Sequence, residues 1–318
     1  VAEAMLQHEV VGEVLFFIEQ SSLALPDDVI AGMRRFMDEA AERQQALTTE
    51  TARIAGALEA AGIPAFFAKG AVWSEVLRPA GMARISKDLD FYLRECDVQL
   101  AVAVLTALPG IHDAEPDAWP AEALHHRTLW SEASGLALEL HWAIAAPRHG
   151  IAFDVDGVLA GDSVALIAGR AVRVPDAIDL VHFCALELAK DTWVSLKKIA
   201  DFAESVRRLD ARQIDVVFEK AQGERWLRAL TISLIITETL GLTGRIGPSA
   251  ADPGSRRVAE ICIDRLRRPD RVLSFLTRAR EGLARAGKHD TLASRLEHVW
   301  RIIVVHRLRC WLTRTPQG

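Results

Sequence analysis

The sequence predicts an α+β fold, a small sheet with flanking helices followed by an all-helical C-terminal half. Three observations carry it. Apolar residues before residue 62 recur near every 3.6 positions, period-2 alternation appears at 87–93 and 126–144, and strand signals stop after Pro175.

Residues 1–62 read as an N-terminal helical segment. Between 28 and 61, Ile30, Met33, Phe36, Met37, Ala40, Leu47, Ile54 and Leu58 share one helical stripe, with Glu and Arg between them. Gly62 and Pro64 stop it. Residues 63–175 form the α+β domain. A short buried strand at 64–68 ends on Lys69-Gly70, and a helix at 71–77 is stopped by Pro79. Over 87–93, Leu89, Phe91 and Leu93 point one way and Asp88, Asp90 and Tyr92 the other. A helix rich in Ala, Val and Leu follows at 96–108. Residues 126–133 and 136–144 pair about a Ser134-Gly135 turn, and a second strand pair lies near 164–167 and 171–174. Residues 176–318 form the helical domain, with helices near 177–190, 193–208, 210–222, 225–240, 255–268, 270–286 and 290–312.

The bulk composition narrows the function classes. The chain has 318 residues, half of them hydrophobic and a quarter charged, which suits a packed globular core. A net charge of −5 gives no general pull toward nucleic acid or an anionic membrane, so neither is an expected partner. Cys96, Cys184, Cys262 and Cys310 form no CxxC pair, which argues against a zinc knuckle or disulfide scaffold. Together with the lack of a basic segment ahead of 10–18, this gives a cytoplasmic expectation.

The chemistry gathers around residues 69–90 and 139. Asp88 and Asp90 are two apart on one strand, so their carboxylates share a face. Two like charges that close repel, and a divalent cation resolves the conflict; hard oxygen donors suit Mg²⁺ or Mn²⁺. Lys87, directly before the pair, is also placed to bridge one of them. Leu138-Glu139-Leu140-His141-Trp142 alternates in the same way, putting Glu139 and His141 on one face. If that strand pairs beside the first, three carboxylates converge, enough for two ions about 3.5–4 Å apart in an in-line phosphoryl displacement. Lys69-Gly70 ends a strand and opens a helix, where a close backbone approach and a positive helix end both favour phosphate. Arg84 adds a forked donor.

Phe67-Ala-Lys-Gly70, Arg84, Asp88-Leu-Asp90 and Leu138-Glu-Leu-His-Trp142 resemble the uncharacterised nucleotidyltransferase family of the polymerase-beta-like superfamily. Its members turn up beside lasso-peptide and polysaccharide biosynthesis genes. The resemblance continues through Pro175-Asp176, Lys190, Trp193, Leu196 and Asp201-Phe-Ala-Glu204, covering roughly residues 55–240. It implies a mixed nucleotidyltransferase-like sheet and Mg²⁺-dependent transfer of a nucleoside monophosphate from a nucleoside triphosphate to a small molecule, peptide or protein. Asp88, Asp90 and Glu139 would hold the metal. Lys69, Gly70 and Arg84 would contact the triphosphate, Lys190 and Trp193 would complete the nucleotide site, and His141 and Asp201 are further candidates. The alternative is a nucleotide-binding or regulatory protein that keeps the fold and engages a partner without turnover. No motif names the acceptor, the base or the oligomeric state.

Other motifs point less clearly. His112, His125, His126, His141 and His149 fall in one stretch without an HExxH spacing, which counts against a zinc hydrolase. No GxGxxG, GxxxxGK[ST] or GxSxG occurs. The basic run from His306 to Arg314 reads as a solvated helix face.

Overall fold

The computed structural model describes residues 9–20, 25–78, 84–114, 125–244, 246 and 252–267. They group into two compact units: residues up to Ala143 with Asp154–Leu180, and Ile144–Phe153 with Val181 onward. The helices expected at 270–286 and 290–312, and the basic run from His306, lie outside the described residues.

The first unit opens with α1 (Val11–Gln20) and the long α2 (Asp27–Ala60). Asp27 and Asp28 in the first turn of α2 suit its positive end. At its far end, Gly62 at φ 70° lets the Gly62 and Ile63 amides turn back to the Glu59 and Leu58 carbonyls, closing the helix in a Schellman arrangement. The early part of the apolar stripe packs on α1: Met33 sits with Val11, Leu15 and Ile18, and Ile30, Phe36 and Met37 border that cluster. The later part, Leu47, Ile54 and Leu58, is fully buried.

The strands are β1 (Phe66–Ala68), β2 (Asp88–Tyr92), β3 (Ile111–Asp113), β4 (His126–Ser131) and β5 (Leu136–His141), joined in the order β1-β2-β5-β4-β3. Among the described strands only the β2–β5 pairing is parallel, so the sheet is mixed and the fold α+β. α3 (Gly70–Leu77) connects β1 toward β2, and α4 (Val98–Thr106) leads from β2 to β3. Leu89, Phe91, Leu129, Leu138 and Leu140 form one buried face. The opposite face carries a ladder of rings: Phe66 stacks on Tyr92 (centroids 4.9 Å apart) and Tyr92 on His141 (4.7 Å). After α5 (Val155–Ala160), a separate hairpin of β6 (Val164–Ile167) and β7 (Arg170–Arg173) completes the unit.

The second unit is helical. α6 (Ala177–Lys190) starts in the first unit and ends in the second, followed by α7 (Leu196–Arg207), α8 (Ala211–Gly223), α9 (Leu227–Thr239) and α10 (Pro253–Arg267). Ser195 caps α7, and Asp210 with Gln213 forms a reciprocal capping box at α8. Phe183, Trp193, Ile199, Phe202, Ile232 and Ile236 are fully buried within it. No described helix is long and apolar enough to cross a membrane.

Candidate metal and phosphate site

The register of the sheet assembles the site. β5 lies parallel to β2 with Asp90 opposite Glu139 and Tyr92 opposite His141, while β1 sets Ala68 opposite Asp90 on the other side. Because side chains alternate along a strand, Asp88, Asp90, Glu139 and His141 all project from one face. One carboxylate oxygen each from Asp90 and Glu139 and a ring nitrogen of His141 lie within 4.8 Å of one another.

Lys69 closes that group. It follows β1 directly, at φ 58°, and Gly70 follows at φ 46°. Two successive left-handed residues turn the chain sharply into α3 and bring it against β2. A Cβ on Gly70 would sit 3.3 Å from the Asp88 carbonyl oxygen, so glycine permits the approach. The turn delivers the Lys69 ammonium to Asp90 Oδ1 at 3.0 Å. The same oxygen faces His141 Nε2 at 2.9 Å, and Glu139 Oε2 lies 3.2 Å from that nitrogen. Ionised carboxylates only accept, so Nε2 carries the proton and donates to them.

The three carboxyls respond differently. Burial raises Asp90, but the Lys69 charge and the hydrogen bonds from His141 and Lys69 outweigh it and hold the group well below the usual carboxylate range. Glu139 is held below its ordinary value by the His141 hydrogen bond, against burial and the Asp90 charge. Asp88 moves the other way. Burial and then the charges of Asp90 and Glu139 push it up, against Lys69 and a 3.2 Å hydrogen bond from Ser86 Oγ. Three carboxyls on one face, Asp90 buried and Asp88 and Glu139 half-buried, with the Lys69 ammonium at Asp90, attract further positive charge, and their hard oxygen donors fit Mg²⁺ or Mn²⁺.

The other expected residues are placed as follows. Arg84 is buried, its backbone N–H donating to Ser74 Oγ at 3.0 Å and its guanidinium 5.4 Å from the centre of the Trp73 ring, both on α3. Lys87 reaches Glu9 at 2.9 Å rather than either aspartate, because it precedes Asp88 and alternation turns it away from that face. Lys190, Trp193 and Asp201 belong to the second unit. Lys190 bridges the buried Glu187 at 2.6 Å, and Lys198 grips the same carboxylate at 2.7 Å. Trp193, expected on the nucleotide, is instead fully enclosed, its indole N–H donating to Ser233 Oγ at 2.8 Å. Asp201 is also fully buried. Sequence reasoning does not single out Ser86, and it meets His125 and His126 only within the histidine stretch whose spacing counts against a zinc hydrolase. Counting outward from the 132–135 turn pairs His126 with His141, so the hairpin itself held that signal.

A family model described as an uncharacterised nucleotidyltransferase matches residues 1–241. No curated protein matches the chain.

Proposed function

The chain belongs to this uncharacterised nucleotidyltransferase family, and from that premise we propose that it moves a nucleoside monophosphate from a nucleoside triphosphate onto a small-molecule, peptide or protein acceptor. The observation that carries the reading is the Asp90–Glu139 pairing across β2 and β5, with Asp88 one step along and Lys69 at the mouth of α3. Asp88, Asp90 and Glu139 would hold Mg²⁺ or Mn²⁺, which when bound supplies Lewis acidity to the phosphate oxygens. Lys69, Gly70 and the start of α3 would receive the triphosphate, with Arg84 as a further cation beside Trp73 and Ser74. The acceptor attacks the α-phosphorus, the bond to the bridging oxygen breaks, and pyrophosphate leaves with that electron pair. His141 donates from Nε2 and fixes the Asp90 and Glu139 carboxylates in place.

A second reading, a nucleotide-binding protein without turnover, is favoured by one specific contact: Lys69 already neutralises Asp90, the carboxylate central to a metal site.

Thermal stability with each nucleoside triphosphate, with and without Mg²⁺, tests binding. The expected result is a Mg²⁺-dependent rise in Tm for at least one nucleotide in the wild type, absent in Asp88→Ala/Asp90→Ala. No shift with any nucleotide refutes both readings. Release of pyrophosphate from an α-labelled nucleotide, with the label passing to an acceptor, separates them.

A further inference from the structure

The carboxylate group has a neighbour of different chemistry. His125, His126 and His141 each offer a ring nitrogen, and the three lie within 4.8 Å of one another. The backbone puts them there. His126 is the cross-strand partner of His141 between β4 and β5, and the His125 carbonyl accepts the Trp142 amide at 3.1 Å, fixing the residue just ahead of β4. The rings are close: His125 to His126 4.5 Å, His126 to His141 5.1 Å and His125 to His141 5.8 Å between centroids.

A second observation points to a ligand. His141 is 2% exposed, and among the described residues its Nδ1 meets no hydrogen-bond partner. Its Nε2–H is committed to Asp90 and Glu139, which in the neutral ring leaves the lone pair on Nδ1. A buried lone pair without a donor is costly unless something satisfies it. A carboxylate holding one imidazole nitrogen while the other is left as a donor atom is the arrangement that orients histidine for a metal.

We propose that His125, His126 and His141 form a binding site for one borderline transition cation of the zinc, cobalt or nickel class. It adjoins the oxygen-lined site and differs from it in hardness. Imidazole nitrogen selects these cations, whereas carboxylate oxygen selects Mg²⁺ or Mn²⁺. Bound at Nδ1, the cation polarises the imidazole and strengthens the Nε2–H bonds to Asp90 and Glu139, coupling the two sites through one ring.

The test uses the full chain, stripped with a chelator and titrated with Zn²⁺ by calorimetry and with Co²⁺ by visible absorption. One saturable equivalent is expected, with Co²⁺ ligand-field bands typical of nitrogen ligation. His125→Gln/His126→Gln should weaken binding at least about a hundredfold. Asp88→Ala/Asp90→Ala should keep the equivalent, weakened about tenfold through the lost support of His141. The Mg²⁺-nucleotide shift should persist in the histidine double variant, so failure of this site and failure of the proposed function give different results. His126→Gln alone serves if the double variant does not fold. The proposal is overturned if the wild type binds no stoichiometric Zn²⁺ or Co²⁺, or if the folded histidine variants bind it as tightly as wild type.

Discussion

At the scale of single residues, the site is organised by which cation meets which carboxylate. Sequence adjacency made Lys87 a candidate partner for the aspartate pair. The strand's alternation gives that place to Lys69, twenty-one residues upstream of Asp90 and delivered by the left-handed turn at Lys69-Gly70. With side chains 12% and 3% exposed, the pair is shielded from water, so it is stronger than a surface bridge and costly to break from one side. Lys69 therefore competes with any metal for Asp90. Lys69→Met should lower the stability of the metal-free protein by about 3 kcal/mol, as expected for removing one partner of a buried pair. It should also tighten binding of Mg²⁺ alone by about tenfold, equivalent to about 1.4 kcal/mol. Calorimetric titration with Mg²⁺ in the absence of nucleotide checks this; equal affinity in variant and wild type would show that the lysine does not compete.

At the scale of elements, much was legible and the misses have physical causes. α2, β2, the β4–β5 hairpin, the β6–β7 pair and α6 to α10 follow from apolar period, turn chemistry and stops at Gly and Pro. β3 has three residues and α5 six, too few for a period to stand out. The pairing of β2 beside β5 depends on chain segments far apart in sequence. For that reason the sequence leaves the convergence of Asp90 with Glu139 conditional on that pairing, whereas His126 opposite His141 follows from the local β4–β5 hairpin. α6 hides another feature. His182, 1% exposed, stacks on Trp226 at 4.0 Å and lies 5.1 Å from Phe153. Glu224 is 3.4 Å away, yet burial, helped by the Lys220 charge, pushes the imidazole down to about 3. Its unfolded value is about 6.5, so between about 6.5 and about 3 the unfolded chain binds a proton that the folded chain does not. Stability is whole above that window and declines as pH falls through it, by at most about 1.4 kcal/mol per pH unit. Urea unfolding at pH 7 and pH 5 should show wild type losing about 2 kcal/mol more than His182→Phe, which keeps the stacked ring and removes the titration. Matching losses in the two proteins would place the proton elsewhere.

At the scale of the whole molecule, the sequence divides the chain at 62 and 175, whereas residue contacts join α1 and α2 to the sheet and split the remainder at Ala143, Phe153 and Leu180. The difference has a physical basis. Period and composition mark where one kind of element gives way to another, and they do not say which elements share a core. α2 packs against α3, α4, β2, β6 and β7, and buries Leu47, Ile54 and Leu58 to 1% exposure or less. Gly56, on the same helix, lies so near the β6–β7 hairpin that an added Cβ would stand 3.0 Å from the Arg170 guanidinium. Full burial of three such side chains stabilises by about 2 kcal/mol each, roughly 6 kcal/mol together. That compares with the whole stability of an ordinary domain, about 5–15 kcal/mol. A chain beginning at residue 63 keeps every candidate metal ligand and phosphate contact, but loses this helix and leaves its partners facing water. Such a truncation should fail to show a cooperative thermal transition and should bind no Mg²⁺-nucleotide, whereas one beginning at residue 25, which loses residues 1–24 with α1 but keeps α2, should keep both. Circular dichroism melts of the two truncations, read beside the nucleotide-dependent Tm shift, decide it: a residue-63 protein that melts cooperatively would show that the sheet and its site stand without α2.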